Sequence, residues 1–470
     1  MNLSKNIKNL QLRNNILIFF SIAVVAIGLR YYVTYLGYTS DTETFFARSL
    51  DSVECWSNFL MCPDSRMTKV YVPSAYGILS YYENSLIYIL STNINLAFGV
   101  GASLPGGELF SNFHKIYAIY LSLIDTIIAF ILYKHFGKVA SFLFVISPAS
   151  FLISGLHTQL DNVALMYAIL ACAFYMKSYI KTSILLFSIS LSFKLNILMF
   201  LPILFLYPFL TKNKNIQDHK EAFIFVPIIA FALYLSYILP TLFSASLLDL
   251  DTSQGIVGAG SFMTILNLII EQTFHYSSFN HSVLVLLMAY LDFNQFHIFF
   301  MIILTYSFIL ITYIIKPDLD LLTIFGLYLI LVYAFSPRLH EQYVTWIILG
   351  CFLLWKYKVF LIPNILSSLV MLNRYSNVSI DQSNEAYNLI NFRPMHDFFV
   401  SILKIPALLL NTKCDNCGLD EKTILQQLPI EINTMVLVQM VTILSLIVFI
   451  IQLLLSKQSK LINQHKTQKT

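Results

Sequence analysis

Charge is what this sequence has least of. Only 11% of its 470 residues are Asp, Glu, Lys or Arg, whereas 57% are hydrophobic. Soluble domains carry about 25% charged residues, so the composition excludes an ordinary soluble domain and indicates a polytopic membrane protein. The net charge is only +4, and the basic residues stand in short clusters at the ends of apolar runs. Because they form no basic face, no nucleic-acid partner is expected.

Two further absences narrow the class of protein. No small-residue cleavage site follows the first apolar run, so this run is expected to be an uncleaved membrane helix and not a signal peptide. No internal repeat is evident either, whereas a secondary transporter is expected to show related halves.

Cysteine is sparse, with six residues. Cys172 and Cys351 lie within apolar runs and are expected to be packing residues. The other four form two close pairs in predicted outer loops, Cys55 with Cys62 and Cys414 with Cys417. Each pair can form a disulfide in an oxidising compartment; zinc binding or redox work by the second pair is the alternative.

The apolar runs predict an all-α fold. A helix of about 20 apolar residues crosses a bilayer, and Lys and Arg gather on the cytoplasmic side. These two rules predict about twelve membrane-spanning helices in one domain, residues 1–470, with both termini cytoplasmic. Two long segments then lie outside the membrane on the outer face. Residues 36–112 form the first extracytoplasmic loop, with short amphipathic helices, and residues 373–431 form the last.

Lys194 marks a predicted break in this pattern. Residues 183–210, taken as one span, would put the lysines that follow on the outer face, against the charge rule. A break at Lys194 into two short helices restores the alternation. Broken helices at membrane depth are tolerated where they line a polar cavity, so Lys194 is a candidate binding residue. Snorkelling of its amine to the interface is the alternative.

The predicted topology gathers scattered polar residues on the outer membrane face. They include carboxylates, histidines and cations: Asp41, Glu43, His157, Gln159, Asp161, Lys194, Arg338, His340 and Glu341. This mixture suits a reaction in which a hydroxyl loses a proton while an anionic phosphate leaves.

Four segments carry a family resemblance: residues 40–43 and 71–77 of the first loop, residues 154–162, and residues 336–343. In order and placement they resemble parts of the GT-C class of polytopic glycosyltransferases, which take a sugar from a polyprenyl-phosphate carrier. The endoplasmic-reticulum enzymes that glucosylate the lipid-linked oligosaccharide, and many bacterial proteins, are of this kind. The turn at residues 192–194 also fits, and the resemblance covers nearly the whole chain.

The resemblance implies an inverting transfer of a hexose, of the mannose or glucose class, to a lipid-linked glycan or another extracytoplasmic acceptor. The aspartate of the first loop would be the general base, which is Asp41 here. Glu43, two positions further on, is the alternative base. One carboxylate is enough because a phosphate leaving group, unlike an alkoxide, does not need a general acid.

The predicted phosphate site contains Lys194 and Arg338 as cations and His340 as a hydrogen-bond donor. Arg338 has an alternative role as the ion-pair partner of Glu341, and His340 has one as the cap of the next helix.

The remaining candidates stand in one turn. His157, Gln159 and Asp161 are expected to bind hydroxyl groups of the donor or acceptor, or else to shape the turn. The Asp-x-Glu pattern at Asp41 is too short to predict a metal site, so no metal and no cofactor are expected.

The expected partners are a polyprenyl-phosphate-linked sugar donor, a glycan or lipid-linked acceptor, and membrane lipids. The Asn, Ile and Lys bias is typical of an AT-rich genome, and it favours a bacterial plasma membrane over the endoplasmic reticulum. Two other functions stay open. A transporter or flippase would also be polytopic with a broken helix, and a non-catalytic partner in polysaccharide assembly would not need Asp41.

Overall fold

The computed structural model describes residues 2–35, 38–54, 78–94, 96, 107–210, 227–229, 231–233, 297–336, 343–377 and 430–467. These residues are almost entirely helical and contain no β-strand, which confirms the predicted all-α class. The chain divides into two compact units, Met1–Phe205 with Asn215–Thr273 and Leu206–Lys214 with Phe274–Thr470. The single domain stays a prediction.

The helices of the chain are numbered here in sequence order. The earlier ones are α1 (Asn2–Val33), α2 (Ser40–Glu54), α3 (Ile78–Asn93), α4 (Gly107–Phe136), α5 (Lys138–Ile146), α6 (Pro148–Gly155), α7 (Asp161–Met176), α8 (Ile180–Phe193), a 3-10 helix (Leu195–Phe200) and α9 (Leu201–Leu210). The later ones are α10 (His297–Ile315), α11 (Leu321–Phe335), α12 (Val344–Leu353), a 3-10 helix (Lys358–Phe360), α13 (Leu361–Asn377) and α14 (Ile430–Thr467).

Length and apolarity identify candidate membrane spans among the described residues. Three helical segments qualify, Arg13–Val33, Gly107–Phe136 and Val436–Gln458, and the bent pair α5 and α6 makes a fourth if it is one span. Seven shorter apolar helices accompany them. Large apolar side chains such as Phe20 and Val24 are more than half exposed on α1, as expected for a lipid-facing surface. The chain is therefore a membrane-embedded helical protein, and the count of twelve spans stays a prediction.

Two helix breaks lie close to the candidate site. Pro148 begins α6 after a bend of 51° between α5 and α6, because proline cannot donate the backbone hydrogen bond that a continuous helix requires. At Lys194 the backbone is extended, with φ −147° and ψ 128°, between α8 and the 3-10 helix. The predicted helix break at Lys194 is confirmed, and the outer turn between two membrane spans stays a prediction.

Aromatic packing seats α2 against α4. Phe45 is 3% exposed and its ring lies 6.2 Å from that of Tyr117. The Phe46 ring lies 5.4 Å from that of Phe113. Aromatic pairs at such distances add about 0.5–1.5 kcal/mol beyond the burial of their area. The first turn of α2, which carries Asp41, is thereby fixed to the helical core of the first unit.

The second unit contains two helices in close contact. Gly326 on α11 and Gly350 on α12 face each other, and a Cβ atom at Gly350 would lie 2.8 Å from the Gly326 carbonyl oxygen. Glycine at both positions therefore permits the close approach. On α14, the buried Gln439 side chain donates to the carbonyl oxygens of Tyr333 and Ser336 at 3.2 and 3.1 Å. These bonds satisfy carbonyl groups at the end of α11.

Candidate functional site

Asp41 is the centre of the candidate site. It lies in the first turn of α2, and its side chain is 45% exposed. The His157 Nε2 atom donates to Asp41 Oδ2 across 2.7 Å, and the Gln159 side-chain amide donates to the same oxygen. Because a carboxylate only accepts, His157 carries its proton on Nε2. The structure thus brings together three of the residues that the sequence singled out.

Glu43, the alternative base, has different neighbours. Its side chain is exposed, and its carboxylate interacts with the Tyr38 hydroxyl. Burial and the nearby Glu43 charge raise the pKa of Tyr38 to about 12. It is Asp41 that receives the two donors from the loop between α6 and α7.

That loop has a defined backbone conformation. The His157 N–H donates to the Leu152 carbonyl at 3.1 Å, and the Gln159 N–H donates to the Ile153 carbonyl at 3.3 Å. Between them Thr158 adopts φ 50°, a left-handed conformation that is rare for a β-branched residue. Such a conformation persists only where the surroundings enforce it, and it often occurs at functional sites.

Thr42 joins the loop to α2. Its hydroxyl lies 3.0 Å from the Thr158 hydroxyl and 3.3 Å from the Leu156 carbonyl oxygen, to which it donates. Thr42 is completely buried. Because Thr42 follows Asp41 directly, these bonds hold the start of α2 in register with the loop that carries His157.

Gly155 allows the end of α6 to approach α1. A Cβ atom at this position would lie 2.9 Å from the Arg30 carbonyl oxygen and 3.0 Å from Arg30 Cα, so a larger residue would force the two helices apart. The Gly155 carbonyl accepts a 2.8 Å hydrogen bond from His114 Nε2 on α4. The loop therefore starts from a point fixed by both α1 and α4.

Arg30 and Asp125 form a buried ion pair that contacts both ends of this loop. Arg30 Nη2 lies 2.6 Å from Asp125 Oδ2, both side chains are 0% exposed, and Nη2 also donates to Ser150. Asp125 accepts from Ser154 at 2.6 Å and from Asn162 at 2.7 Å. Ser154 stands just before the loop and Asn162 just after it. One carboxylate thus anchors both ends of the segment that holds Asp41.

Lys194 and Asp161 form a second buried pair. Lys194 Nζ lies 2.6 and 2.7 Å from the two carboxylate oxygens of Asp161, and the side chains are 1% and 0% exposed. Asp161 begins α7, two residues after Gln159, and Lys194 stands at the break after α8. The predicted roles of both in substrate binding stay predictions, and a phosphate at Lys194 would share the cation with Asp161.

Sequence reasoning missed Arg30, Asp125, His114 and Thr42. For the first two a signal was present: each is a charged residue within a predicted apolar span, and two such charges of opposite sign are expected to pair inside the protein. His114 and Thr42 gave no comparable signal, because a lone histidine or threonine next to an apolar run is common.

Arg338, His340 and Glu341 lie outside the described residues, as do Cys55, Cys62, Cys414 and Cys417, and the predictions on them stay predictions. Cys172 and Cys351 are buried, in α7 and α12. Within the described part of the chain, no group of three His, Cys, Asp or Glu side chains is placed to hold a metal ion.

Comparison with known proteins adds no further constraint on this site: no family model, no curated protein and no solved structure matches the chain.

Proposed function

We propose that this protein is an inverting glycosyltransferase that moves a hexose, of the mannose or glucose class, from a polyprenyl-phosphate carrier to a lipid-linked glycan or another extracytoplasmic acceptor. In this proposal the chain crosses a plasma membrane about twelve times, with cytoplasmic termini, and the site faces outwards. Asp41 is the general base.

The observation that carries the proposal is the environment of Asp41. Its side chain is half-exposed, so a substrate hydroxyl can reach it, while His157 and Gln159 hold its carboxylate in one orientation. A general base must lie within hydrogen-bond reach of the proton it removes, and fixed orientation contributes to the rate. The buried Arg30–Asp125 pair supports this geometry through the bonds of Asp125 to Ser154 and Asn162 on either side of the loop.

The reaction is a single displacement. Asp41 accepts the proton of the acceptor hydroxyl as its oxygen bonds to the anomeric carbon of the donor sugar. The bond from that carbon to the carrier phosphate breaks on the opposite face, and the phosphate leaves as an anion. Lys194, Arg338 and His340 stabilise the growing charge on the phosphate. The anomeric configuration inverts because there is one displacement.

Transport or flipping of a lipid-linked saccharide is the second candidate. The observation that favours it is the occurrence of two buried ion pairs, Arg30 with Asp125 and Lys194 with Asp161, among short and broken apolar helices. Charged pairs of this kind often mark transport pathways.

The test is sugar transfer by the purified full-length chain in nanodiscs. A panel of polyprenyl-phosphate hexoses is offered with a lipid-linked and a free glycan acceptor pool. The proposal predicts transfer from at least one donor, with release of polyprenyl phosphate in equal amount. In parallel, liposomes containing the protein are assayed for flipping of a labelled polyprenyl-phosphate hexose. Flipping without transfer would replace the proposal with the transport function. If neither activity is observed, the role of a non-catalytic partner in polysaccharide assembly would remain.

A further inference from the structure

The α3 helix has an inverted distribution of polar residues. Its exposed stripe is apolar and consists of Tyr82, Leu86, Ile89 and Leu90, each between 36% and 54% exposed. Its buried face is largely polar and includes Ser80, Glu83, Asn84, Ser85 and Ser91. A helix on a water-exposed surface shows the reverse pattern. The apolar stripe suits contact with lipid, and the polar face packs inwards against α2, α4 and α8.

Glu83 is the most unusual residue on this buried face. It is 9% exposed, and both of its carboxyl oxygens are buried without meeting hydrogen-bond geometry to any described residue. The Tyr120 hydroxyl of α4 interacts with the carboxyl group, and Tyr167 of α7 lies within electrostatic reach of it. The carboxyl group of α3 therefore has one tyrosine hydroxyl, from α4, as an interaction partner and a second, from α7, within electrostatic reach.

Hydrogen bonds within the described part of the protein do not account for the burial of this carboxyl group. The great majority of buried polar side-chain atoms have a hydrogen-bond partner, and leaving one without a partner costs about 1–3 kcal/mol. Ser85, by contrast, is satisfied within its own helix, because its hydroxyl donates to the Tyr81 carbonyl at 2.8 Å. Among the described residues, neither Glu83 oxygen has a hydrogen bond of good geometry, and a ligand that supplies hydroxyl groups would provide such bonds.

Burial also determines which ligand fits. It raises the pKa of Glu83 well above its ordinary value of 4.5, against a smaller lowering by Tyr120, so the uncharged acid is favoured. An uncharged carboxyl both donates and accepts, as a sugar hydroxyl does. Such a group suits a ligand that offers hydroxyl groups.

Side-chain contacts and neighbouring positions in the chain link this cluster to the candidate site. The Tyr167 ring stacks on that of Phe193, with centroids 5.8 Å apart and planes at 10°. Phe193 directly precedes Lys194, which pairs with Asp161 at the start of α7. Asp161 follows Gln159, a donor to Asp41, by two residues. The cluster and Asp41 are thus linked through α7 and α8 within the first unit.

We propose that Glu83, with the hydroxyl groups of Tyr120 and Tyr167, forms a subsite that binds the hydroxyl groups of an uncharged sugar. This inference rests on the proposed transferase function and deepens it. The sugar is either the hexose of the donor or the terminal residue of the acceptor glycan, since both offer the same chemistry.

Kinetics of three variants in nanodiscs test the subsite. Loss of the hydrogen bonds in Glu83→Leu is expected to raise KM for one substrate about tenfold, while the melting temperature stays equal or rises. Glu83→Gln, which still donates and accepts, is expected to stay within about threefold of wild type. Ser85→Ala is the matched control and is expected to leave KM unchanged. A raised KM for the donor would show that the subsite binds the donor hexose. A raised KM for the acceptor would show that it binds the acceptor glycan.

Unchanged KM values in Glu83→Leu for both substrates would overturn the subsite, as would a lowered melting temperature accompanied by an equal loss of activity in Glu83→Gln. A second measurement does not need transfer. Infrared difference spectra of wild type, with Glu83→Gln as reference, are expected to show a protonated-carboxyl band that shifts when octyl mannoside or octyl glucoside is added. No shift with either probe would contradict the subsite even if transfer occurs, whereas a shift without transfer would contradict only the transferase function.

Discussion

Two aspartates of the first unit have opposite surroundings. Asp125 is 0% exposed and is held by a guanidinium, a serine hydroxyl and an asparagine amide. Asp41 is 45% exposed and is held on one oxygen by two side chains of a loop. The first arrangement fixes helices, because separating a buried charge from its partners is strongly destabilising. The second leaves the carboxylate accessible, and the loop that orients it is itself anchored to the first.

The sharpest test of this contrast is Asp41→Asn. The amide keeps the shape of the side chain but cannot accept a proton at neutral pH, so we expect kcat to fall by about 10²–10⁴-fold, with little change in melting temperature. Glu43→Gln is the matched control, two positions along the same helix, and is expected to stay near wild type. A strong loss in Glu43→Gln with retained activity in Asp41→Asn would transfer the role of base to Glu43.

Asp125→Ala is expected to act mainly on stability, in contrast to Asp41→Asn. Removal of the carboxylate leaves Arg30 as a buried charge without its counter-ion, which typically costs about 3–5 kcal/mol of stability. Thermal melting in nanodiscs measures the loss. The double variant Arg30→Met with Asp125→Leu removes both charges and is expected to regain most of it. A double variant as unstable as the single one would show that the charge balance of this pair is not the cause.

Glu83 is a buried acid without hydrogen bonds of good geometry among the described residues, and its effect on the stability of the protein depends on pH. Because the pKa of Glu83 is raised in the folded state, the free energy of unfolding is largest, with respect to this group, below the ordinary pKa of 4.5 and falls as the pH rises through the raised value. Wild type is therefore expected to lose stability relative to Glu83→Gln as the pH increases above about 4.5. Melting curves of both proteins across this range measure the difference. Parallel curves would contradict a buried, protonated Glu83.

Thr42→Val is expected to have the smallest effect. It removes the hydroxyl that binds Thr158 and the Leu156 carbonyl, and one such bond contributes about 1 kcal/mol. A moderate fall in kcat is expected as well, because the loop then holds Asp41 less precisely. Thr92→Val is the control, since the Thr92 hydroxyl is exposed and bonds only within its own helix. Equal effects of the two variants would remove Thr42 from the positioning of the site.

Sequence reasoning predicted the helical class, the break at Lys194 and the turn that carries His157. Apolar run length and charge position are local signals, and those features depend on them. The partners of Asp125 could not be predicted in the same way. Ser150, Ser154 and Asn162 are ordinary residues in sequence, and only the bend at Pro148 and the close approach at Gly155 bring them to one carboxylate. Glu83 was overlooked because an acid in a predicted outer loop is normally solvated.

The central claim is that one carboxylate, Asp41, is sufficient because the sugar is transferred in a single displacement. The measurement that tests it most directly is the anomeric configuration of the product. A donor of defined configuration is offered to the wild-type protein in nanodiscs, and the new glycosidic bond is assigned by NMR. The account predicts inversion by the wild-type protein and little or no product from Asp41→Asn. Retention of configuration would require a covalent intermediate and a second catalytic group, and would contradict it.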